Sequence, residues 1–428
     1  MDQTRGLICG NAGAAPSRHF GMGPTAARYH RLEDSMISHL HNLLGDRCKA
    51  AAAAASLGVS IVVALFSCGA DGAPPFEPDS LTAPILSQPI VRSPEPACSR
   101  PSTIICEDFE SDDRSDWSDY RDDAFNVAAG EALGGQRAMR QDYALGQESA
   151  GWLAWFFGDH PLGGVRSNES FAEVYFRWYH RFQEAWPVEY PPKMARMRSH
   201  YIDCAWCFAW MEHFWIRSVG TAISDPMSNI AAPNGTQYSD TERWLGSLAA
   251  ALSFDSLDGR WVALEMRIKL NSPGQDDGRI TFWANGRTIL DRTGMNLRGA
   301  YTGTSVNVAM IDTYWNGGAP VGGLRRWYDN VVVATEPVGC VTFTVEKSAL
   351  AGQTSWQLAI ALDDSNRTPV WDSGTIPSDG TSIDISQSTG TFAAGMVPCV
   401  DPSTPYVFRA RQATQVGLSE WSEWAAMF

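Results

Sequence analysis

Arg196, Arg198 and His200 alternate along KMARMRSHY (Lys193–Tyr201). A strand there would set all three side chains on one face. Two guanidinium groups beside an imidazole suit proton abstraction next to a carboxylate. Arginine neutralises the acid group, histidine takes the proton, and a tyrosine elsewhere could protonate the departing oxygen. The plainer alternative is that two arginines on a wet strand face are ordinary surface. His213, Trp215 and Arg217 are in phase on the following stretch, FAWMEHFWIR. His180 falls on the apolar side of FAEVYFRWYHRF (Phe171–Phe182) and reads as a core histidine.

Other chemistries lack their residues. Glycoside hydrolysis needs two carboxylates about 5–9 Å apart, whereas Glu212 and Glu265 are isolated in the sequence. No Ser-His-Asp elbow, phosphate loop or HExxH motif is present. Cys204-Ala205-Trp206-Cys207 lacks the βαβ context of a redox site and the second ligand pair of a zinc site, which favours a small local disulfide.

The scaffold that must position these groups is a sheet. From Val262 to Leu270 apolar and polar residues alternate, SPGQDDG supplies a turn, and RITFWANGRTILD continues the pattern. Asn285-Gly286 is a positive-φ hairpin pair. Three antiparallel strands are therefore expected between Trp261 and Asp291. Other strands are expected at IICEDFE, AGWLAWFF, FAEVYFRWYHRF, SVNVAMIDTYW and WYDNVVVA. Ser218–Leu245, polar and rich in turn formers, reads as a long rim excursion.

The 428 residues allow two or three domains. Seventeen Trp, 38 Gly and few helical repeats favour an all-β chain. A net charge of −15 argues against a nucleic-acid partner. Ala50–Cys68 is an uncharged apolar run preceded by Arg47 and Lys49, as in an export signal. Leu65-Phe66-Ser67-Cys68 resembles the lipobox of bacterial lipoproteins, which implies lipidation at Cys68. The expected organisation is an unstructured extension (1–35), a signal peptide (36–68) and a Pro-rich tether (69–103). The protein would be exported and held by a lipid anchor at a bacterial cell surface or in the periplasm. Six cysteines follow Cys68, an even number that suits disulfides, with Cys98–Cys106 and Cys340–Cys399 as pairs.

The first strand, WVALEMRIKL, GRITFWANGRTILD and YDNVVVATEPVG together resemble concanavalin A-like jelly rolls, closest to laminin G-like and polysaccharide-lyase-like domains. The resemblance covers residues 104–339 and implies a two-sheet antiparallel jelly-roll sandwich. After it, VTFTVEK, WQLAIAL, SIDIS and YVFRARQA read as a smaller β-sandwich over 340–428. PYVFRAR followed by Gly417-Leu418-Ser419 resembles the tyrosine-corner strand of a fibronectin type III domain. Trp421 and Trp424 are expected to stack on Arg409 and Arg411.

The jelly-roll resemblance implies a concave groove that holds a polysaccharide, an acidic one given the basic strand. Its lining would come from Tyr175, Arg177, Tyr179, Lys193, Arg267 and Lys269. Tyr314, on a late strand, matches the tyrosine of lyase-like jelly rolls and would be the acid to the His200 base. Asp108 in the first strand and Asp329 in the last would come together in such folds and could hold a structural calcium ion; no other cofactor is expected. Three functions fit: a carbohydrate-binding module, which is the leading expectation, a lyase cleaving a uronic-acid glycan by β-elimination, and a non-catalytic surface scaffold.

Overall fold

The computed structural model describes residues 83–428, apart from 112, 122–124, 188–191, 202–203, 217–219, 232–233, 254–257, 350 and 378–379. The signal-like run and Cys68 lie outside the described residues. Regular structure is almost wholly antiparallel strand, and the one helical turn among the described residues is a 3-10 turn at Pro96–Ser99.

Two large sheets face each other. The back sheet runs Arg287–Met295, Gly278–Ala284, Val262–Lys269, Glu173–Phe182, Leu324–Ala334, Arg137–Tyr143, Phe125–Ala129, with Thr103–Glu107 also paired to Leu324–Ala334. The front sheet runs Tyr238–Trp244, Met227–Ile230, Cys204–Ile216, Lys193–Tyr201, Val308–Asp312, Trp152–Phe156, Asp119–Arg121. The expected meander is present: Leu264 pairs with Ala284 and Ile268 with Ile280, and Asn285 and Gly286 both take positive φ in the turn. Leu264, Met266 and Ile268 point inward, where Trp155, Trp178 and Trp210 fill the space between the sheets. Each such side chain contributes about 2–3 kcal/mol by leaving water. The expected rim excursion is instead mostly strand, at Thr221–Ser224, Met227–Ile230 and Tyr238–Trp244. Several of its polar residues, Ser224, Asp225, Ser228 and Asn229, are buried, and Met227–Ile230 has strand neighbours on both sides.

Residues after Gly339 form a second, smaller sandwich with Trp356, Trp371 and Phe408 in its core. Arg409 lies over both Trp421 and Trp424, and Arg411 over Trp421. Disulfides join Cys98 to Cys106 and Cys340 to Cys399. Cys207 is also disulfide-bonded; the side chain of Cys204 lies outside the described residues. The reading of 69–103 as a free tether needs correction in its described part. Ile90–Val91 pairs with Phe343–Glu346 and so adds a strand to the smaller sandwich. Glu95, only 3% exposed, is ion-paired to buried Arg177. Proline-rich composition lowers the cost of ordering a segment as well as marking linkers.

Candidate functional site

Lys193–Tyr201 lies in the middle of the front sheet, between Cys204–Ile216 and Val308–Asp312. Register sets Arg196 between His213 and Met310, and Arg198 between Met211 and Val308. A bulge between Lys193 and Ala195 lets Met194 and Ala195 both turn into the core. That irregularity brings Lys193 onto the outer face with Arg196, three residues on. On the far side of Val308–Asp312, Trp152 is opposite Asp312, and Arg121 is opposite Trp152 with its guanidinium 5.4 Å from the indole. The result is a cleft of about 610 Å³ lined by Arg121, Trp152, Arg196, Met310, Asp312 and Tyr314, with Gln147–Ser149 as one wall.

The strand carrying the arginines is fastened from behind. Arg326, fully buried on the back sheet, donates from Nη1 to the Lys193 carbonyl and from Nη2 to the Asp312 carbonyl, each at 2.9 Å. Tyr143 Oη donates to the Thr313 carbonyl at 2.9 Å. A back-sheet arginine therefore fixes the two strands that meet at the cleft. Nothing in the run Arg325-Arg326-Trp327 signals that one of its side chains crosses the core.

Charge in the cleft is concentrated around one carboxylate. Arg196 Nε donates to Asp312 Oδ2 at 2.5 Å, and the Tyr314 N–H donates to Asp312 Oδ1 at 3.1 Å. Burial alone would raise the Asp312 pKa, but Arg196 and Lys193 overcome it and hold the group below its ordinary value. Lys193 Nζ lies 5.1 Å from the Tyr314 ring centre. Burial, then Arg196, pushes the lysine down. Arg198 is lowered to about 10 by burial and by Arg196, and its Nη2 lies 3.2 Å from the Met310 sulfur.

His213 is the histidine that belongs to this cluster. Burial, followed by the charges of Arg196 and Lys193, drops it to about 3, so it is neutral at ordinary pH. Its Nδ1 lies 3.2 Å from the Asp225 carbonyl, which can only accept. The ring proton is therefore on Nδ1 and the lone pair on Nε2. Trp244 stacks over the ring at 6.0 Å. The phase of His213 with Trp215 was the one signal for it in the sequence.

His200 sits elsewhere, which corrects the expected His200–Tyr314 pair. The Lys193 N–H donates to the Tyr314 carbonyl at one end of the strand, and His200 is seven residues along, about 23 Å away at strand rise. Its chemistry also differs from that of a base. The Leu162 N–H donates to His160 Nδ1 at 3.2 Å, so His160 Nε2 carries a proton and gives it to His200 Nδ1 at 2.9 Å. The lone pair of His200 is thereby engaged.

The remaining expected lining lies on the back sheet, outside the groove. Arg177 is 1% exposed, paired with Glu95 and bonded to the Asn330 carbonyl at 2.6 Å. Tyr179 is fully buried beneath the smaller sandwich and accepts the Val341 N–H at 3.0 Å. Tyr175 donates to Glu173, which also accepts from Arg267 Nε. Lys269 is opposite Glu173 on the same sheet. These faces alternate as expected, but Glu95 closes off Arg177, the smaller sandwich covers Tyr179, and Arg267 and Lys269 are half-buried on the sheet away from the cleft.

Asp108 and Asp329 serve loops. Asp329 accepts backbone N–H groups of Leu133, Gly134 and Asn330 at 2.7, 3.2 and 2.7 Å. Asp108 accepts from Ser93 Oγ and from the Glu110 N–H. No third side chain joins them in a group suited to a metal among the described residues, so the calcium expectation gains nothing from the geometry.

Residues 227–321 match the family model described as Polysaccharide lyase 14. That segment includes Asp312 and Tyr314 and is under half of the chain. No curated protein matches the chain. Similar solved structures include a marine PL-14 alginate lyase from Aplysia kurodai, 13% identical, covering 55% of this chain and 99% of that one at a TM-score of 0.43. An endo-β-1,4-glucuronan lyase from Trichoderma reesei is 16% identical, covering 55% and 96% at 0.39. An alginate lyase from a Chlorella virus is 11% identical, covering 52% and 94% at 0.39. The chain thus contains a polysaccharide-lyase-like segment within a β-sandwich.

Proposed function

We propose that the cleft binds a carboxylated polysaccharide and cleaves it by β-elimination. The observation that carries this reading is the convergence of Lys193, Arg196, Asp312 and Tyr314, with His213 on the other flank of the Arg196 strand. His213 and Tyr314 stand two inter-strand spacings apart across Lys193–Tyr201 and two residues out of register, roughly 12 Å between backbones, which leaves a sugar ring room between them. In this reading Arg196 and Arg198 neutralise the uronate carboxylate and so acidify the adjacent C–H. His213 Nε2 accepts that proton, the C–H electron pair becomes the new C=C bond, and the C–O bond to the neighbouring sugar breaks. Tyr314 gives its phenolic proton to the departing oxygen. Wild type should release unsaturated uronate, seen by its ultraviolet absorbance, and Tyr314→Phe should bind the polymer but release none. Equal rates in the two proteins would remove Tyr314 from the reaction.

A second reading, binding without cleavage, has one specific observation in its favour. Arg196 already has a carboxylate partner in Asp312, so part of the neutralising charge is spent inside the protein. A wild type that binds polyuronate and releases no unsaturated product would establish this reading.

Two further parts of the proposal concern delivery. Cys68 is the proposed lipid attachment site of an exported protein; fatty-acid labelling should mark wild type and spare Cys68→Ser. The smaller sandwich is proposed to be a fibronectin type III-like spacer, which its deletion should show by leaving the glycan affinity of the remaining chain unchanged.

A further inference from the structure

Trp206 is 63% exposed, the most exposed tryptophan among the described large apolar side chains. An indole left largely in water is unusual for a residue that normally buries most of its area. The ring lies 6.1 Å from Phe156 and 6.3 Å from His200, and Phe156 stacks on His160 at 3.7 Å. Neighbouring Cys207 is disulfide-bonded.

The face is the same one that carries the cleft. Phe156 packs with Met310, and Met310 lines the cleft beside Arg196. From Arg196 to His200 the strand advances four residues, about 13 Å, and Trp206 is alongside that end on the adjoining strand, between Cys204 and Phe208, which pair with Tyr201 and His200. Arg198 lies between. Basic, then apolar, then exposed aromatic groups thus follow one line away from Tyr314.

We infer that Trp206 is a sugar-stacking platform of an extended binding strip, and that it engages a unit of the glycan several residues removed from the one held by Arg196. This rests on the carboxylated-glycan reading above and adds a chain-length requirement to it. Sugar rings present flat C–H faces that pack on an indole, and a linear polymer could span the strip where a short oligomer could not. The histidine pair has a supporting part. The proton order fixed by the Leu162 N–H holds both rings in place beneath the platform.

The test uses the full chain as wild type, Trp206→Ala and Trp206→Phe. Calorimetry gives Kd for polymeric alginate and for an alginate trisaccharide. The alanine variant should bind the polymer about tenfold more weakly and the trisaccharide as wild type does. The phenylalanine variant should recover most of the polymer affinity. An alanine variant that binds the polymer like wild type would overturn the platform while leaving the glycan reading intact. Equal weakening on polymer and trisaccharide would overturn it too, since the residue would then belong to the Arg196 cleft. A wild type that binds neither would overturn the glycan reading and this extension with it.

Discussion

Replacing Asp312 with asparagine should move stability and glycan affinity in opposite directions. The Asp312 side chain is 4% exposed and that of Arg196 16%. Removing one member of a buried pair typically costs 3–5 kcal/mol because the other charge is stranded. The partial exposure of Arg196 reduces that to about 2–3 kcal/mol. Asparagine keeps the bond from the Tyr314 N–H through Oδ1, but its Nδ2 would face Arg196 Nε, donor against donor. Affinity should respond the other way. Asp312 competes with a substrate carboxylate for the same guanidinium, and it repels that carboxylate through partly wet space at about 1 kcal/mol. Its loss should tighten polyuronate binding roughly fivefold. Urea unfolding and calorimetry on the same preparation read both effects. A folded Asp312→Asn protein that binds polyuronate more weakly than wild type would refute the competition.

Three other outcomes follow from the same geometry. Glu95→Ala should lower unfolding free energy by about 3 kcal/mol because it strands buried Arg177; a urea midpoint within error of wild type would return residues 84–99 to the status of a loose tether. The rate on polyuronate should show no acidic limb near pH 6.5, since burial and the charges of Arg196 and Lys193 lower His213 to about 3; a limb at the ordinary histidine value would contradict that depressed pKa in the reacting enzyme. Glu212 is raised to about 8 by burial, so its carboxyl is favourable to the fold below the unfolded value near 4.5 and costs stability as pH rises towards 8. Glu212→Gln keeps an acceptor for the Asp225 N–H. It should gain on wild type by up to about 1.4 kcal/mol per pH unit between pH 5 and 8 and level off above that; a constant difference in urea midpoint would contradict the assignment.

The meander was legible because its signal is local. A period of two and an Asn-Gly turn specify three strands without reference to anything distant. Alternation also put Arg196 and Arg198 on one face, as observed. It could not say which sheet a strand joins or what covers a face. Tyr175, Arg177, Tyr179, Arg267 and Lys269 alternate as a solvent-facing set does, yet they lie on the back sheet, with Tyr179 beneath the smaller sandwich and Arg177 closed off by Glu95. The bulge at Lys193–Ala195 is equally silent in sequence, and it is what brings Lys193 to Tyr314. The choice of His200 over His213 failed for a related reason. Being on the same strand as the arginines is weaker evidence than being opposite them, and only the register of two strands reveals the latter.

The cleft is proposed to recognise a carboxylate on a sugar chain. The most direct test is the affinity of wild type and an Arg196→Ala/Arg198→Ala double variant for alginate and glucuronan, with neutral laminarin alongside. Charge-assisted hydrogen bonds of this kind contribute about 1.5–3 kcal/mol each. Wild type should prefer the two polyuronates, and the double variant should lose two or more decades of that affinity with no change towards laminarin. Wild-type affinity for laminarin equal to that for alginate, or a folded double variant that binds alginate as wild type does, would contradict carboxylate recognition.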